Sequence, residues 1–353
     1  MKVGLGLYRH QLDRAHFDFA RQCGATHLVV HLVDYFNQDD PNARDGQPTG
    51  GTRGWGRAGE AEKLWTVEEL RSLKGEINAA GLELEAIENF DPAHWHDVLL
   101  DGPRKAQQLE NLKTIIRRVG EVGIPVMGYN FSIAGVASRV TGPFARGGAV
   151  SVGMDGVDET PVPLGMVWNM VYDPDAPAGT LPEISHDELW RRLADFLAAL
   201  LPVAEESGVM LAAHPDDPPM PRVRRQPRLV HQPHLYQRLI ELYPSPANRL
   251  EFCVGTLAEM MEGDVYETVD RYSRDGCVAY VHLRNITGKV PHYRETFIDD
   301  GDVDIVEVLR ILHRNGFDGV VIPDHTPSMT CQAPWHAGMA FALGFIQGVL
   351  KRL

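Results

Sequence analysis

Four side chains with metal-ligand chemistry stand at the ends of apolar runs in the second half of the chain. Val209 to Ala213 closes on His214 and breaks at once into Pro-Asp-Asp-Pro-Pro. Arg249-Leu-Glu-Phe closes on Cys253, Cys277-Val-Ala-Tyr-Val on His282, and Gly319-Val-Val-Ile-Pro on Asp324. Two imidazoles, a thiolate and a carboxylate are mixed soft and hard donors. That set suits Mn²⁺, Fe²⁺, Co²⁺ or Zn²⁺ better than Mg²⁺ or Ca²⁺. One strand-end histidine is explained as well by a buried, hydrogen-bonded core residue, and Cys253 alone by a small hydrophobe. Four such ends point to one shared ion, provided the fold brings them to one place.

The elements that must do this follow from periodicity. Strands are expected at 3–7, 26–32, 82–89, 124–130, 209–214, 249–253, 277–285 and 319–324, and the later ones are near-continuous apolar runs of the kind a parallel sheet buries on both faces. Helical patterns follow them. Leu109, Leu112, Ile115, Ile116 and Val119 recur at the spacing of an amphipathic helix over 104–122. Thr66/Glu69, Ser185/Glu188 and Asp304/Glu307 read as capping boxes, while Gly24, Gly81, Gly208 and Gly316 read as helix stops. Eight strand-helix units predict a closed (β/α)8 TIM barrel of 353 residues in a single metal-binding domain, with long insertions at about 35–60 after strand 2 and 131–183 after strand 4. A barrel also gathers all C-terminal strand ends at one rim. A doubly wound sheet is disfavoured, because the first strand-helix turn has no GxGxxG and an open sheet would spread the four donors along a line.

Composition narrows the partners. The net charge is −14 with no dense run of Lys or Arg, so the electrostatic footprint expected for nucleic acid is missing. Cys23, Cys253, Cys277 and Cys331 show no paired spacing and no CxxC, against a disulfide framework. The first apolar run is too short for a signal segment, and no stretch reaches the roughly 18 apolar residues of a membrane span, so a cytoplasmic protein is expected.

The residues around the four donors resemble the mannonate dehydratase family. His214-Pro-Asp-Asp-Pro-Pro, Cys253-Val-Gly-Thr, His282-Leu-Arg-Asn, Gly301-Asp-Val-Asp, Pro323-Asp-His and Gly128-Tyr-Asn-Phe stand in the family's order. The resemblance implies a TIM barrel similar to xylose isomerase-type sugar enzymes, with a divalent ion, commonly Mn²⁺, held by His214, Cys253, His282 and Asp324. It implies dehydration of D-mannonate to 2-keto-3-deoxy-D-gluconate in hexuronate breakdown. Loss of water from a sugar acid needs a Lewis acid on its oxygens, a base for the C2 proton and an acid for the departing hydroxyl.

Candidates for the proton chemistry are His325, Asp216, Asp217 and Glu88. Glu88 also stands with Arg284 and Asn285 as a binder of the sugar acid, arginine being suited to a planar carboxylate. The chain departs from the family at Ile322, where an Arg usually precedes Pro-Asp-His, and at Ala333-Pro-Trp-His336, where a Pro-Gly-Tyr segment is usual. Arg222, Arg224, Arg225 and Arg228 form a basic loop that either binds an acidic sugar or is a solvated face. A metal-dependent sugar isomerase or epimerase and a non-catalytic sugar-acid binding protein are the alternatives. A homo-oligomer is expected, with 131–183 as the place for subunit contact.

Overall fold

The computed structural model describes residues 1–36, 47–48 and 54–353. Eight strands close into a barrel: β1 Lys2–Leu7, β2 His27–Val30, β3 Glu83–Glu88, β4 Val126–Tyr129, β5 Met210–Ala213, β6 Asn248–Cys253, β7 Val278–Leu283 and β8 Val320–Pro323. Each is parallel to its sequence neighbours, and β8 pairs with β1 to complete the ring. The longer helices between and after them are α1 Arg14–Gln22, α2 Val67–Ala79, α3 Lys105–Val122, α4 His186–Ser207, α5 Leu235–Leu242, α6 Val265–Arg274, α7 Ile305–Arg314 and α8 Pro334–Leu350. The expected TIM barrel is the fold.

The two faces of each strand serve two cores. Outward side chains meet the helices: in α3, Leu112, Ile115, Ile116 and Val119 are all fully buried, each such burial contributing roughly 1.5–3 kcal/mol. Inward side chains, among them Val29, Ala86, Val126, Ala212, Tyr280, Val320 and Ile322, form a second cluster. Because strand side chains alternate, Glu251 and Cys253 share the inward face of β6, and Tyr280 and His282 that of β7. The register pairs Glu251 with Tyr280 and Cys253 with His282.

Helix starts follow the sequence in part. Thr66 and Glu69 close a reciprocal capping box on α2. Ser185 accepts from the Glu188 amide, and Asp304 from the amides of Val306 and Glu307, as one-way caps.

The second insertion carries elements of its own. Most of the stretch expected as a loop at about 35–60 lies outside the described residues. The stretch 131–183, expected as a long insertion, contains a hairpin of Arg139–Ala145 and Ala149–Asp155. That hairpin joins strands Asn285–Lys289 and His292–Thr296, which follow β7, in a four-stranded antiparallel sheet. Asn285 therefore opens a new strand rather than ending β7. This pairing was illegible in sequence because its halves are more than 130 residues apart and neither closes a core alone.

Candidate active site

Three of the four sequence-predicted donors converge. One ligand atom each of His214, Cys253 and His282 lies within 4.8 Å of the others. Asp324 stands beside this triad, its Oδ2 3.5 Å from Cys253 Sγ and its Oδ1 3.8 Å from His282 Nδ1. On the far side of the same imidazole, His282 Nε2 lies 3.3 Å from Glu88 Oε2 and 3.2 Å from Glu251 Oε1, so Glu88, Glu251 and His282 form a second group of possible ligands. His282 belongs to both.

The donor chemistry fits a cation. Both ring nitrogens of His282, Glu88 Oε2 and Glu251 Oε1 are buried without a hydrogen-bond partner, an arrangement costing roughly 1–3 kcal/mol per atom unless something positive is shared among them. Burial pushes the Cys253 thiol up, but the Arg284 guanidinium and the neighbouring imidazoles of His214 and His282 outweigh it and bring it down to about 6. It is then a thiolate near neutral pH, the form that ligates metal. Burial likewise raises the Asp324 carboxyl, and His325, His282 and Arg284 reverse this, holding it well below the usual range. Glu251 is pushed up to about 8 by burial and by the Glu88 charge, while its other oxygen accepts a hydrogen bond from Tyr280.

Glu251 was missed in the sequence. Its signal was there: a carboxylate inside an apolar strand, two residues before Cys253 and so on the same face. His31 was missed too, although it follows β2 as His214 follows β5. Its Nε2 is 3.7 Å from Glu88 Oε2, and burial lowers its pKa against the pull of that carboxylate.

The remaining candidates separate. His325 and Asp217 line the same cavity as Glu88, His214, His282 and Asp324. Glu295, from the peripheral sheet, sets His325: its Oε1 is 3.3 Å from His325 Nδ1. Glu295 is anchored by Arg284 at 2.6 Å and Gln47 at 2.7 Å. Asp217 spends Oδ2 on Arg284 and Thr256 at 3.1 and 3.4 Å, leaving Oδ1 unpartnered.

Its neighbour Asp216, expected in the proton chemistry, has both oxygens committed: Oδ1 to Arg228 at 3.1 Å, Oδ2 to the amides of Leu229 and Val230 at 2.7 and 2.8 Å. Asn285, expected to bind substrate, instead pins the Gly301–Asp304 turn, donating to the Ile298 and Val303 carbonyls and accepting from the Val303 amide. Arg284 is fully buried behind the donors, within 3.2 Å of carboxylates from Asp217, Glu259, Glu295 and Asp324. Its fork holds the protein's own acids and does not line the cavity.

The basic loop after His214 divides: Arg225 is exposed and Arg222 half-buried, as a solvated face would be, whereas the other two arginines turn inward. Arg224 and Arg228 are buried. Arg224 donates to the Thr160 and Pro161 carbonyls, and Arg228 to Ser132 Oγ and the Gly135 carbonyl, which ties the 131–183 insertion to the barrel. Arg228→Met strands the Asp216 carboxylate in the interior and is expected to cost about 3–5 kcal/mol, read as a lower midpoint in urea.

Gly128 is required by close approach. A Cβ there would lie 3.1 Å from Glu251 Oε2 and closer still to the Tyr280 hydroxyl. Gly128→Ala is therefore expected to cost about 1–3 kcal/mol through overpacking, with weakened metal retention on dialysis as the local readout.

Comparison with known proteins agrees with this architecture. The family model for D-mannonate dehydratase (UxuA) matches residues 55–142 and 179–351. A mannonate dehydratase of Streptococcus pneumoniae is 31% identical over 276 residues, covering 74% of this chain and 75% of that relative. Mannonate dehydratase 2 of Halalkalibacterium halodurans is 31% identical over 275 residues, covering 74% and 79%. The crystal structure of mannonate dehydratase from Streptococcus suis superposes with a TM-score of 0.77 at 25% identity, over 100% of this chain and 94% of that one. A xylose isomerase domain protein from Planctomyces limnophilus shares the fold, with a TM-score of 0.56 at 16% identity. No described helix is long and apolar enough to cross a membrane. With a family match running through both halves of the barrel, the chain belongs to the mannonate dehydratase family and is a hydro-lyase that dehydrates a sugar acid.

Proposed function

We propose that the protein removes water from D-mannonate to give 2-keto-3-deoxy-D-gluconate, in hexuronate breakdown, with a divalent ion, Mn²⁺ foremost, held by His214, Cys253, His282 and Asp324. The observation that carries this reading is the convergence of a thiolate and two imidazoles beside Asp324 at a cavity that also presents His325 and Asp217. The bound ion supplies Lewis-acid stabilisation of charge developing on the sugar acid's oxygens.

The chain's own residues supply the proton transfers. His325, aligned by Glu295, and Asp217, with Oδ1 free, are the two groups placed to take the C2 proton and to protonate the departing hydroxyl. Glu88 is placed to touch the substrate or to join the ion through the second donor group. Asp216, Arg284 and Asn285 hold the walls.

Purified protein loaded with Mn²⁺ is expected to convert D-mannonate to a 2-keto-3-deoxy acid, to lose this activity on chelation and to regain it when Mn²⁺ is returned. Absence of a keto-deoxy product from every aldonate supplied overturns the dehydration. Deuterium incorporation into an intact sugar in heavy water would assign an epimerase instead.

A further inference from the structure

The cavity carries an imbalance of charge. Glu88, Asp217 and Asp324 all line it, an unfavourable setting for another carboxylate. Among the described residues lining it, Arg139 is the one Arg or Lys side chain. Ile322, on the β8 wall, is apolar.

Arg139 is held as a recognition group would be. It opens the inserted hairpin, in register with Met154 of the opposite strand. One terminal nitrogen donates to the Pro48 carbonyl at 2.8 Å, and the guanidinium carbon sits 5.6 Å from the Trp55 ring centroid. Both contacts fix the plane of the fork. Its Nε is nonetheless buried with no hydrogen-bond partner among the described residues. A buried guanidinium N–H left unmatched is costly, and the cavity it faces is where an anionic ligand must enter. Arg139 also interacts electrostatically with Tyr8, a cavity residue, and with Glu295, which aligns His325.

We propose that Arg139 is the residue that recognises the substrate's carboxylate, its Nε–H and a terminal N–H not used by Pro48 forming paired charge-assisted bonds. This rests on the sugar-acid reading above and deepens it. The anion receptor is supplied by the inserted hairpin and not by the barrel wall, so the insertion determines that the substrate is an acid rather than a neutral sugar. Arg139 was not among the sequence candidates, because nothing in Ser138-Arg-Val-Thr indicates that the hairpin folds back over the barrel mouth.

The test measures binding of D-mannonate and of its neutral counterpart D-mannitol to the Mn²⁺-loaded protein by calorimetry, with His325→Ala in every sample to stop turnover, in otherwise wild type, Arg139→Met, Arg139→Lys and Arg139→Ala. Arg139→Met is expected to weaken mannonate on the order of 10- to 100-fold while leaving mannitol unchanged. Arg139→Lys should fall between, because an ammonium keeps the charge and loses the fork. Added guanidinium ion should restore mannonate binding to Arg139→Ala, which a merely structural arginine would not allow. Equal weakening of both ligands, an unchanged mannonate affinity in Arg139→Met, or no preference for mannonate with Arg139 in place would each overturn the assignment. A preference for mannonate through Arg139, with no keto-deoxy acid released by the protein that keeps His325, would sink the dehydration reading while leaving the recognition role standing.

Discussion

His282→Ala is expected to abolish metal retention and turnover together while leaving the barrel folded. Its imidazole is the one side chain shared by both donor groups, with Cys253, His214 and Asp324 on one side and Glu88 and Glu251 on the other. Without it the triad loses a ligand, and two buried carboxylates face each other with no cation between them. Loss of a residue that only orients a ligand typically costs 10- to 100-fold in affinity or activity, so loss of the shared ligand should exceed about 100-fold. Metal content after dialysis, measured by plasma mass spectrometry beside the rate on D-mannonate, checks this. Stoichiometric metal in the variant, or turnover within a few-fold of wild type, would mean that His282 is a core imidazole and that the centre lies elsewhere.

Arg284→Met is expected to destabilise the fold more than either Arg228→Met or Gly128→Ala. The guanidinium is fully buried and stands among Asp217, Glu259, Glu295 and Asp324, with Cys253 Sγ 3.5 Å away. Removing one partner of a single buried ion pair costs about 3–5 kcal/mol. Here several acids lose the same partner, so at least that much is expected, seen as a large drop in the urea midpoint. Glu259 already has its carboxyl pushed well above the ordinary range by burial, against the pull of Arg284, so part of the loss should be relieved by protonation. Arg284→Lys separates charge from geometry: one ammonium cannot reach all four carboxylates, and it should recover only part of the stability. A midpoint for Arg284→Met within about 1 kcal/mol of wild type would show that these carboxylates are already protonated or hydrated.

The chain by itself determined the barrel and which strand ends meet at its rim. Eight apolar runs alternating with helical periods leave few topologies, and parallel closure puts every strand's C-terminal end on one rim, so His214, Cys253 and His282 could be placed together without knowing a single distance. The same alternation made Glu251 legible in principle, since a carboxylate two residues before Cys253 must face inward with it.

The tertiary structure decided what the side chains beyond the strand ends do. Asp216 and Asp217 are adjacent and identical in type, yet one is consumed by Arg228 and two loop amides while the other keeps an oxygen for the cavity. Arg284 and Asn285 follow His282 closely and turn away from the cavity, because the chain leaves the barrel at Leu283 and enters a second sheet. Glu295 and Arg139 reach the site only because their strands join that sheet across a long sequence separation. The physical reason is common to all of these. Strand periodicity is local and is written in neighbouring residues, whereas the destination of a loop side chain depends on which distant backbone its own strand finds to pair with.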